Sequence, residues 1–508
     1  VGPRRTGEDT VTFEFPPQDY KLRAGDEIRD PQQQWVAGKV VEVNDNHNWI
    51  TVKLSGNAVS HHPEAIFPFA QFRTEAIDLA LVDLADDLLS GGAPRFAAAA
   101  KLLLRETPYF GEEIHADSAQ QRRDLLSEME GSYLVAQGPP GTGKTFTAAD
   151  LIVDHMIRGK RVGVTAGTHT AINNLLHAVE QAAVERGHVF SGVKKDPKRG
   201  DYASPNGWIE SVTTNPKAID AHADLTAGTR WLFSRPEWHN ELDLLVIDEA
   251  GQFALSSALA VGTSAKTLLM VGDPNQLPQV TQGAHPPGAG ASALEHVLGD
   301  HRTIPATLGI FLPESRRMAP ELCSFVSDAF YEGRLRTHEC AEDYGPAGSS
   351  AIKFVAVEHE NNRQDSIEEV MAIVDLIRDG RDAVDTSEVM VVSPYNAQVD
   401  LLRAEIDALV PGGEKVKVFT VDKCQGQEAE VVYFSLASSG GDDVPRGFEF
   451  LFSANRFNVA ISRARRAAYL VCSPALLQVN ATSVEQMRLA DAFLAYVERA
   501  ELESIAAR

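Results

Sequence analysis

The amino-acid sequence predicts an α/β fold: two tandem domains built on parallel sheets, preceded by a small β-barrel and a helical stalk. From about residue 106 onward, apolar runs typical of buried strands alternate with runs of helical spacing, which is the pattern of parallel sheets. Residues 10–70 instead contain short strand-like runs with polar turns, and residues 74–105 change to helical periodicity. A chain of 508 residues is also too long for one core and suggests roughly two to four domains.

These patterns divide the chain into four regions. We predict the β-barrel over residues 1–73, the helical stalk over residues 74–105, and the two parallel-sheet domains over residues 106–310 and 311–508. Ligands of parallel sheets bind at the carboxyl ends of the strands, so polar residues that directly follow an apolar run are the first candidates for a site. The predicted strands of the two domains are Val162–Thr165, Leu244–Ile247, Thr267–Val271, Ile352–Val355, Val389–Val392, Val416–Phe419, Val431–Ser435 and Ala468–Val471.

Composition narrows the class of protein. Hydrophobic residues make up 44% of the chain and charged residues 23%, as in ordinary globular proteins. No run of about 18 apolar residues occurs, so we expect no transmembrane helix and no membrane partner. The sequence begins at Val1 without a methionine or a signal peptide's apolar core, and we expect that upstream sequence has been removed. The cysteines lack CxxC spacing, which argues against zinc or iron–sulfur binding and for a cytoplasmic location: Cys323, Cys340, Cys424 and Cys472.

The net charge of −24 at face value disfavours nucleic acid as a partner. A global sum does not decide the question, because an acidic shell can surround a local basic track. The motifs of the chain therefore carry more weight than its net charge.

Residues 138–145 form a complete phosphate-binding loop of the pattern GxxxxGK(S/T). The loop follows the apolar run at 133–136 and precedes a run of helical spacing at 146–152, which is the strand–loop–helix context that the chemistry needs. Glycines let backbone N–H groups surround a β-phosphate at a helix N-terminus, Lys144 reaches the β- and γ-phosphates, and Thr145 ligates Mg²⁺. The predicted nucleotide-binding residues of this loop are Gly138, Pro139, Pro140, Gly141, Thr142, Gly143, Lys144 and Thr145.

Two further motifs complete a nucleotide-hydrolysing site. A buried-strand pattern at 244–247 ends in paired carboxylates, of which Asp248 fits a Mg²⁺ partner and Glu249 fits a general base that activates water. Another apolar strand ends in the run GDPNQLP at 272–278, which places Asp273 and Gln276 beside the γ-phosphate. The neutral amide of Gln276 is suited to a hydrogen bond with a phosphate oxygen or the attacking water. The loop and the carboxylates together indicate a nucleoside triphosphatase.

Arginine-containing motifs in the second α/β half narrow the kind of enzyme. They are RRMAP at 316–320, VDKCQGQE at 421–428 and NVAISRAR at 458–465. Isolated arginine-rich segments are usually solvated helix faces, but arginines far from the phosphate loop can also stabilise charge in the transition state of phosphoryl transfer. If they come from a second domain, hydrolysis requires the two domains to close, which is how a motor couples chemistry to movement.

The ordered set of motifs resembles superfamily 1 helicases, in the branch that contains the eukaryotic RNA-surveillance helicase and related DNA helicases. The matching runs are QGPPGTGKT, IDEA, GDPNQLP, RRMAP, SPYNAQ, VDKCQGQE and NVAISRAR, and the resemblance covers residues 121–466. It implies two RecA-like domains, ATP and Mg²⁺ as cofactors, and an accessory barrel and stalk over the single-strand channel. The phrases at 162–176 and 445–465 are similar to bacterial proteins in which an upstream RecB-like nuclease precedes the helicase. An upstream nuclease domain is therefore possible in the full-length protein, but no nuclease activity is predicted for these residues.

The resemblance assigns several nucleotide contacts. Gln121 has the spacing to Gly138 of the family's adenine-reading glutamine, and Arg317 and Arg463 match two arginine fingers. Gly426 and Glu428 fall near the sugar and phosphates of the nucleotide. Arg316 stands where the family commonly has a tyrosine that stacks on adenine, so we predict that its guanidinium stacks on the base and relaxes nucleotide choice, unless it points to solvent.

The resemblance also assigns nucleic-acid contacts. Thr168, His169 and Thr420 match positions that hold the nucleic-acid backbone, although the family commonly has Ser-Asn in place of Thr168-His169. Cys424 replaces a usual phenylalanine, for which packing and redox sensing are the two explanations.

The leading hypothesis is an ATP-dependent helicase that translocates 5′→3′ on single-stranded DNA, with both polarity and DNA taken from the resemblance. An RNA helicase stays open, because no motif reads the 2′-hydroxyl. A second class is an ATPase that remodels protein–nucleic acid complexes without unwinding, and a third is a small-molecule kinase or GTPase, which the second-domain arginines oppose. An exposed aromatic wedge in the barrel would distinguish unwinding, and its candidates are Trp35, Trp49, Phe67 and Phe69.

Overall fold

A computed structural model describes the chain at residues 4–5, 9–16, 22–32, 36–44, 48–68, 74–108, 113–198, 200–279, 285–286, 288–346, 349–380, 384–440, 447–478, 481 and 483–503. The chain divides into two compact units, Val1–Thr74 and Glu75–Arg508. Among the described residues, no helix combines the length and the apolar character that crossing a bilayer requires.

The first unit is a six-stranded antiparallel sheet with the strand order β1-β2-β5-β4-β3-β6. In β5, alternate residues Ile50, Val52 and Leu54 are buried, so one face of the strand covers a small core. The prediction of short strands is confirmed, and closure of the sheet into a barrel stays a prediction. The strands are β1 (Arg4–Arg5), β2 (Thr10–Glu14), β3 (Glu27–Arg29), β4 (Val36–Asn44), β5 (Trp49–Leu54) and β6 (Phe67–Pro68).

The aromatic wedge candidates lie in this unit. Phe67 is exposed and Trp49 is half-buried, whereas Trp35 and Phe69 lie outside the described residues. The identity of a wedge therefore stays a prediction.

The second unit begins with helices and an eight-stranded parallel sheet in the order β10-β9-β11-β8-β12-β13-β7-β14. Its central strands are buried on both faces, as the continuous apolar runs predict. In chain order the elements are α1 (Glu75–Leu89), α2 (Ala97–Leu104), α3 (Ala119–Glu128), β7 (Ser132–Gln137), α4 (Lys144–Ile157), β8 (Val162–Ala166), α5 (His169–Glu185), β9 (Gly192–Lys195), β10 (Ile209–Val212), α6 (Asn215–Asp220), β11 (Leu225–Ala227), α7 (Arg230–Phe233), β12 (Leu242–Asp248), α8 (Leu255–Gly262), β13 (Ala265–Gly272), α9 (Ala293–Leu298) and β14 (Gly309–Phe311).

A six-stranded parallel sheet follows, in the order β19-β18-β20-β21-β17-β22. The short strands β15 and β16 pair with each other between the two large sheets. The elements are β15 (Glu314–Ser315), α10 (Pro320–Phe330), β16 (Arg336–Thr337), β17 (Ile352–Ala356), α11 (Ile367–Arg378), β18 (Val389–Ser393), α12 (Asn396–Leu409), β19 (Lys417–Thr420), β20 (Ala429–Ser435), α13 (Phe448–Leu451), α14 (Ala454–Ile461), β21 (Ala464–Cys472), α15 (Val484–Arg499) and β22 (Glu501–Glu503).

The two parallel sheets confirm the predicted α/β class, and the strands predicted from apolar runs are present in them. The sequence did not predict β9, because its run Gly-Val-Lys-Lys ends in two lysines. Lys194 is fully buried there and forms an ion pair with Asp196, so its charge is satisfied inside the protein. A strand that contains a buried, paired lysine is not recognised from a run of apolar residues.

The two stalk helices pack on the first parallel sheet. Ile77 and Ala80 of α1 form a small apolar cluster with Ala260 of α8. Leu102 of α2 belongs to the same core as Tyr133 of β7. Within the second unit, α1 and α2 are therefore part of the first α/β core.

The strand order brings the carboxyl ends of β12, β13 and β7 side by side. Gly272, the last residue of β13, pairs with Gln137 at the end of β7, and the N–H of Gly138 donates to the Gly272 carbonyl at 3.0 Å. The phosphate loop, the paired carboxylates and the GDPNQLP run thus begin at one edge of the sheet, where sequence analysis expected ligands to bind.

A glycine in the antiparallel sheet offers a test of the fold. Gly38 has a φ of +149°, and a Cβ there would lie 2.2 Å from the Lys53 carbonyl oxygen. Backbone strain at such a φ costs about 1–3 kcal/mol by itself. We expect Gly38→Ala to destabilise the first unit by more than this, because the clash separates β4 from β5. Hydrogen exchange of the β4 and β5 amides should accelerate strongly. Gly56→Ala is the matched control: its φ is also positive, but its Cβ would meet open space, so it should accelerate exchange less.

Candidate active site

The phosphate loop turns sharply from a buried strand into a helix. Gly141 and Gly143 have φ values of 76° and 78°, in the left-handed region that glycine adopts without strain, and α4 begins at Lys144. The first N–H groups of a helix lack intrahelical partners and bind anions. Lys144 Nζ donates to the Gly138 carbonyl at 2.6 Å, and a Cβ on Gly138 would lie 2.2 Å from Lys144 Cγ. The loop therefore holds a cation beside the N-terminus of α4.

The environment of Lys144 is strongly charged. Burial lowers the pKa of Lys144 below its usual range, and the charges of Arg463 and Arg317 lower it further. The carboxylates of Asp273 and Glu249 act in the opposite direction on this pKa. Five charged groups from both α/β halves are thus close enough to influence one another.

The paired carboxylates follow β12 directly. Asp248 is buried, and its Oδ1 accepts from the Glu249 N–H at 3.0 Å. Burial, followed by the charge of Glu249, raises the pKa of Asp248 to about 7. Glu249 has a φ of 52°, a left-handed conformation uncommon for a non-glycine residue and frequent at functional sites.

These residues fit a divalent cation. A buried carboxylate that is hard to ionise gains from a nearby positive charge, and Asp248 is such a group. Carboxylate and hydroxyl oxygens are ligands that Mg²⁺ accepts, together with phosphate oxygens of a substrate. Asp248 and the half-buried Thr145, the second residue of α4, are the donors suited to this ion.

The loop after β13 lies against the carboxylate loop. A Cβ on Gly251 would lie 2.7 Å from the Asp273 carbonyl oxygen, so glycine is required for this approach. Asp273 and Gln276 are both buried, and Gln276 Nε2 donates to Asp273 Oδ2 at 2.8 Å. The amide of Gln276 is therefore held in place by Asp273.

The second α/β half reaches the phosphate loop through residues 315–317. Arg316 N–H donates to the Gly141 carbonyl at 2.9 Å, and Ser315 Oγ donates to the Pro140 carbonyl at 3.0 Å. A Cβ on Gly141 would lie 2.6 Å from the Cβ of Arg317. The Arg317 side chain therefore starts directly beside the loop, while the Arg316 side chain is exposed.

One half-buried and one buried guanidinium group lie in this region. Arg317 Nε donates to Glu428 Oε2 at 2.9 Å, and burial, followed by the charge of Arg463, lowers the pKa of Arg317 to about 10. Arg463 is 2% exposed and donates from Nε to the Val459 carbonyl at 3.0 Å. The structure thus brings Lys144, Arg317 and Arg463 together, although they are far apart in the sequence.

The VDKCQGQE run contributes a residue that sequence analysis missed. Gln425 Nε2 lies 3.4 Å from Glu249 Oε2, and Gln425 Oε1 accepts from Gln252 Nε2 at 2.5 Å. Gln425 therefore bridges the two halves at the predicted general base. Gln425 lies in the same motif as Gly426 and Glu428, and this position was the one feature of the sequence that could have indicated its role. Gly426 itself is exposed, with a φ of 79°.

The remaining predicted residues have local structural roles. Gln121 Oε1 accepts from the Ser118 N–H at 2.9 Å in the capping box of α3, and Thr168 Oγ1 accepts from the Ala171 N–H at 3.2 Å as the N-cap of α5. Burial, followed by the charge of Lys194, lowers the pKa of His169. Thr420 is the buried last residue of β19. The adenine and nucleic-acid roles of these residues stay predictions.

Cys424 is fully buried, and its thiol donates to the Val421 carbonyl at 3.2 Å. Burial raises the pKa of Cys424 to about 11, so the reactive thiolate is disfavoured. This environment supports packing over redox sensing as the reason for a cysteine here.

Two families, both described as an AAA domain, match residues 117–289 and residues 290–475. The DNA replication ATP-dependent helicase/nuclease JHS1 of Arabidopsis thaliana is 24% identical over 395 residues, which are 72% of this chain and 29% of that protein. The DNA polymerase alpha-associated DNA helicase A of Schizosaccharomyces pombe is 24% identical over 443 residues, which are 72% of this chain and 64% of that protein.

Helicase SEN1 of Saccharomyces cerevisiae is 27% identical over 254 residues, which are 46% of this chain and 11% of that protein. The chain thus spans less than two thirds of each of these relatives. Among solved structures, the arterivirus helicase nonstructural protein 10 is 14% identical with a TM-score of 0.40, covering 92% of this chain and 77% of that chain. A TM-score this low does not establish a shared fold.

The raised pKa of Asp248 gives a pH-dependent prediction for the ligand-free protein. Because the folded state holds this proton more tightly than the unfolded state does, the resulting stability is present at acid pH and is lost as the pH rises through about 7. Asp248→Asn should therefore raise the melting temperature in EDTA at pH 8. The gain in the free energy of unfolding should be about 2 kcal/mol smaller at pH 5 than at pH 8. Thermal unfolding across this range checks it.

Asp243→Asn is the matched control, since Asp243 is paired with Lys266 at 2.9 Å and should show no gain at pH 8. If Asp248→Asn stabilised the protein equally at both pH values, the raised pKa of Asp248 would be wrong.

Proposed function

Because this chain belongs to superfamily 1 of the helicases, we propose that it is an ATP-dependent nucleic-acid helicase. In this proposal it hydrolyses ATP between its two parallel-sheet halves and translocates 5′→3′ on single-stranded DNA in the cytoplasm. The cofactors are ATP and Mg²⁺.

The observation that carries the proposal is the cluster of Lys144, Arg317 and Arg463. Burial is the main cause that lowers the pKa values of Lys144 and Arg317, and the charges of the neighbouring guanidinium groups act in the same direction. A triphosphate supplies the missing negative charge. Two of the cations come from the second half, so the site is complete only while the halves are together.

The residues of the site divide the work of hydrolysis. Lys144 and the backbone N–H groups of residues 141–145 bind the β- and γ-phosphates. Asp248 and Thr145 hold Mg²⁺, which neutralises phosphate charge when bound. Glu249 accepts a proton from the attacking water, and Gln276 donates to a phosphate oxygen or orients that water.

The arginines act later in the reaction. Arg317 and Arg463 stabilise the charge that develops on the transferred phosphoryl group. Arg317 is bound to Glu428, so it must exchange this carboxylate for phosphate when the substrate is in place. Such an exchange would link the ATP state to the position of the VDKCQGQE loop.

Nucleic acid is proposed to bind where Thr168, His169 and Thr420 lie, at the carboxyl ends of β8 and β19. The N-terminus of α5 and the hydroxyl groups of Thr168 and Thr420 are suited to phosphate oxygens. Local contacts of this kind do not depend on the net charge of −24. DNA is favoured over RNA through the relatives with DNA helicase names.

The proposed function is tested by steady-state ATP turnover with single-stranded DNA, single-stranded RNA or no polymer, together with unwinding of tailed duplexes. We expect the largest stimulation with single-stranded DNA, and Lys144→Ala should be inactive under every condition. Stimulation by RNA alone would make the protein an RNA helicase. Stimulated turnover without unwinding would favour the remodelling ATPase, and absence of any polymer effect would refute the nucleic-acid proposal.

Glu249→Gln should bind Mg-ATP but turn it over about 10²–10⁴-fold more slowly, because the amide keeps the shape of the carboxylate and cannot accept a proton. Fluorescent nucleotide titration and kcat separate the two effects. Glu241→Gln serves as the control, because Glu241 lies in an exposed pair with Arg161 and its loss should change neither quantity. Loss of nucleotide binding in Glu249→Gln would show that Glu249 is structural.

Arg463→Ala and Arg317→Ala should each lower kcat by about 10³-fold or more while leaving ATP affinity nearly unchanged, since arginine fingers act on the transition state. Measuring kcat and nucleotide affinity for each variant checks this. Arg235→Ala, which removes only an exposed pair with Glu237, provides the baseline. Equal losses in affinity and turnover would identify the arginines as ground-state clamps.

A further inference from the structure

A buried chain of hydrogen bonds joins the two parallel-sheet halves behind the phosphate loop. Tyr331, the first residue after α10, is fully buried, and its hydroxyl donates to Asp273 Oδ2 at 2.6 Å. The same carboxylate oxygen accepts from Gln276 Nε2 at 2.8 Å. Tyr331 therefore shares one acceptor with the residue proposed to contact the γ-phosphate.

The other side of the Tyr331 hydroxyl faces the helix that leads to Arg463. Asn458 of α14 is fully buried, and its Nδ2 donates to the Tyr331 hydroxyl at 2.8 Å and to the Asn275 carbonyl at 2.8 Å. Arg463 follows α14 and remains bonded to that helix through Val459. A short path of side chains thus runs from Gln276 to the base of the arginine finger.

Backbone contacts hold both ends of this path in register. Asn455 of α14 donates from Nδ2 to the Pro274 carbonyl at 3.0 Å and to the Gln276 carbonyl at 2.5 Å. Asn275 Nδ2 donates to the Phe330 carbonyl at 3.0 Å, directly before Tyr331. The loop after β13 is therefore hydrogen-bonded to residues of α10 and α14, so a shift of this loop would displace both helices.

The chemistry of Tyr331 suits a neutral donor. Burial, followed by the charge of Asp273, raises its pKa well above the usual value, so the hydroxyl keeps its proton at any working pH. When Gln276 turns its amide toward a phosphate, it leaves Asp273 Oδ2, and Tyr331 becomes the remaining side-chain donor to that oxygen. Two donors that share one acceptor compete for its negative charge, so loss of the Gln276 bond strengthens the Tyr331 bond within this network.

We propose that Tyr331 is a positioning residue that couples the phosphate contact of Gln276 to the placement of Arg463. The inference rests on the proposed function and adds to it a residue that no sequence motif marked. In this proposal the hydroxyl of Tyr331, rather than its ring, links a movement of Gln276 to the position of Arg463.

The test compares Tyr331→Phe with the wild-type chain in ATP turnover with saturating oligothymidine, in the affinity for a fluorescent ATP analogue, and in melting temperature. We expect kcat to fall about tenfold or more, with the KM for ATP and the analogue affinity changing less than about threefold. Tyr496→Phe is the matched control: Tyr496 is equally buried in the same half, and its hydroxyl donates to the Ala468 carbonyl at 2.6 Å, away from the path. It should retain wild-type kcat.

A second variant, Asn458→Ala, tests whether the two side chains act as one unit. The double variant should have about the same kcat as the slower single variant, because removing either partner already breaks the path. Fully additive losses, wild-type kcat in Tyr331→Phe, or an equal loss in Tyr496→Phe would each overturn the inference. Wild-type turnover with and without oligothymidine reports on the proposed function, so its failure is separate from failure of the Tyr331 coupling.

Discussion

The structure depends on a group of charged side chains that meet at one point between the two parallel-sheet halves. Lys144 and Arg317 are half-buried and Arg463 is buried, and burial, followed by the charges of neighbouring groups, lowers the pKa values of Lys144 and Arg317. The carboxylates of Asp273 and Glu249 oppose the shift at Lys144, and Glu428 pairs with Arg317. The site thus gathers cations from both halves beside the phosphate loop, together with the carboxylates that lie next to them.

Close backbone approach makes this arrangement possible. Gly141 admits Arg317, Gly138 admits the Lys144 stem, and Gly251 admits the loop that begins with Asp273, in each case at a distance that a Cβ would prevent. Gly138 and Gly141 lie in the loop after β7, and Gly251 lies in the loop after β12 of the same sheet. The sheet therefore sets the coarse position of the site, and the glycines set its final spacing.

The charge distribution explains why net charge is a poor guide to partners here. A total of −24 describes the whole surface and interior together. The pairs that matter are local: Arg317 is held by Glu428, and Arg465 by Glu388, so cations at the junction are oriented by carboxylates beside them. A phosphate ligand interacts mainly with the charges within a few ångströms, since screening weakens the effect of more distant charges.

The sequence by itself determined what depends on neighbours along the chain. A strand followed by glycines and a lysine, and strands that end in polar residues, are local patterns, so the α/β class, the phosphate loop and the order of the motifs were predictable. Roles that need one residue to find another were not. The Tyr331–Asp273 bond joins positions 58 residues apart, the Arg317–Glu428 bond joins positions 111 apart, and the contact of Gln425 with Glu249 joins positions 176 apart.

Only the tertiary structure decided those pairings, because they depend on how two sheets meet and not on any repeat in the chain. The same holds for Lys194, whose burial is tolerated through Asp196, and for Thr168 and Gln121, whose side chains cap helices in addition to any contact with a ligand. Periodicity reports which face of an element is apolar. It carries no record of which polar group lies opposite, since hydrogen bonds between distant segments form only after the packed layers have fixed their distance and direction.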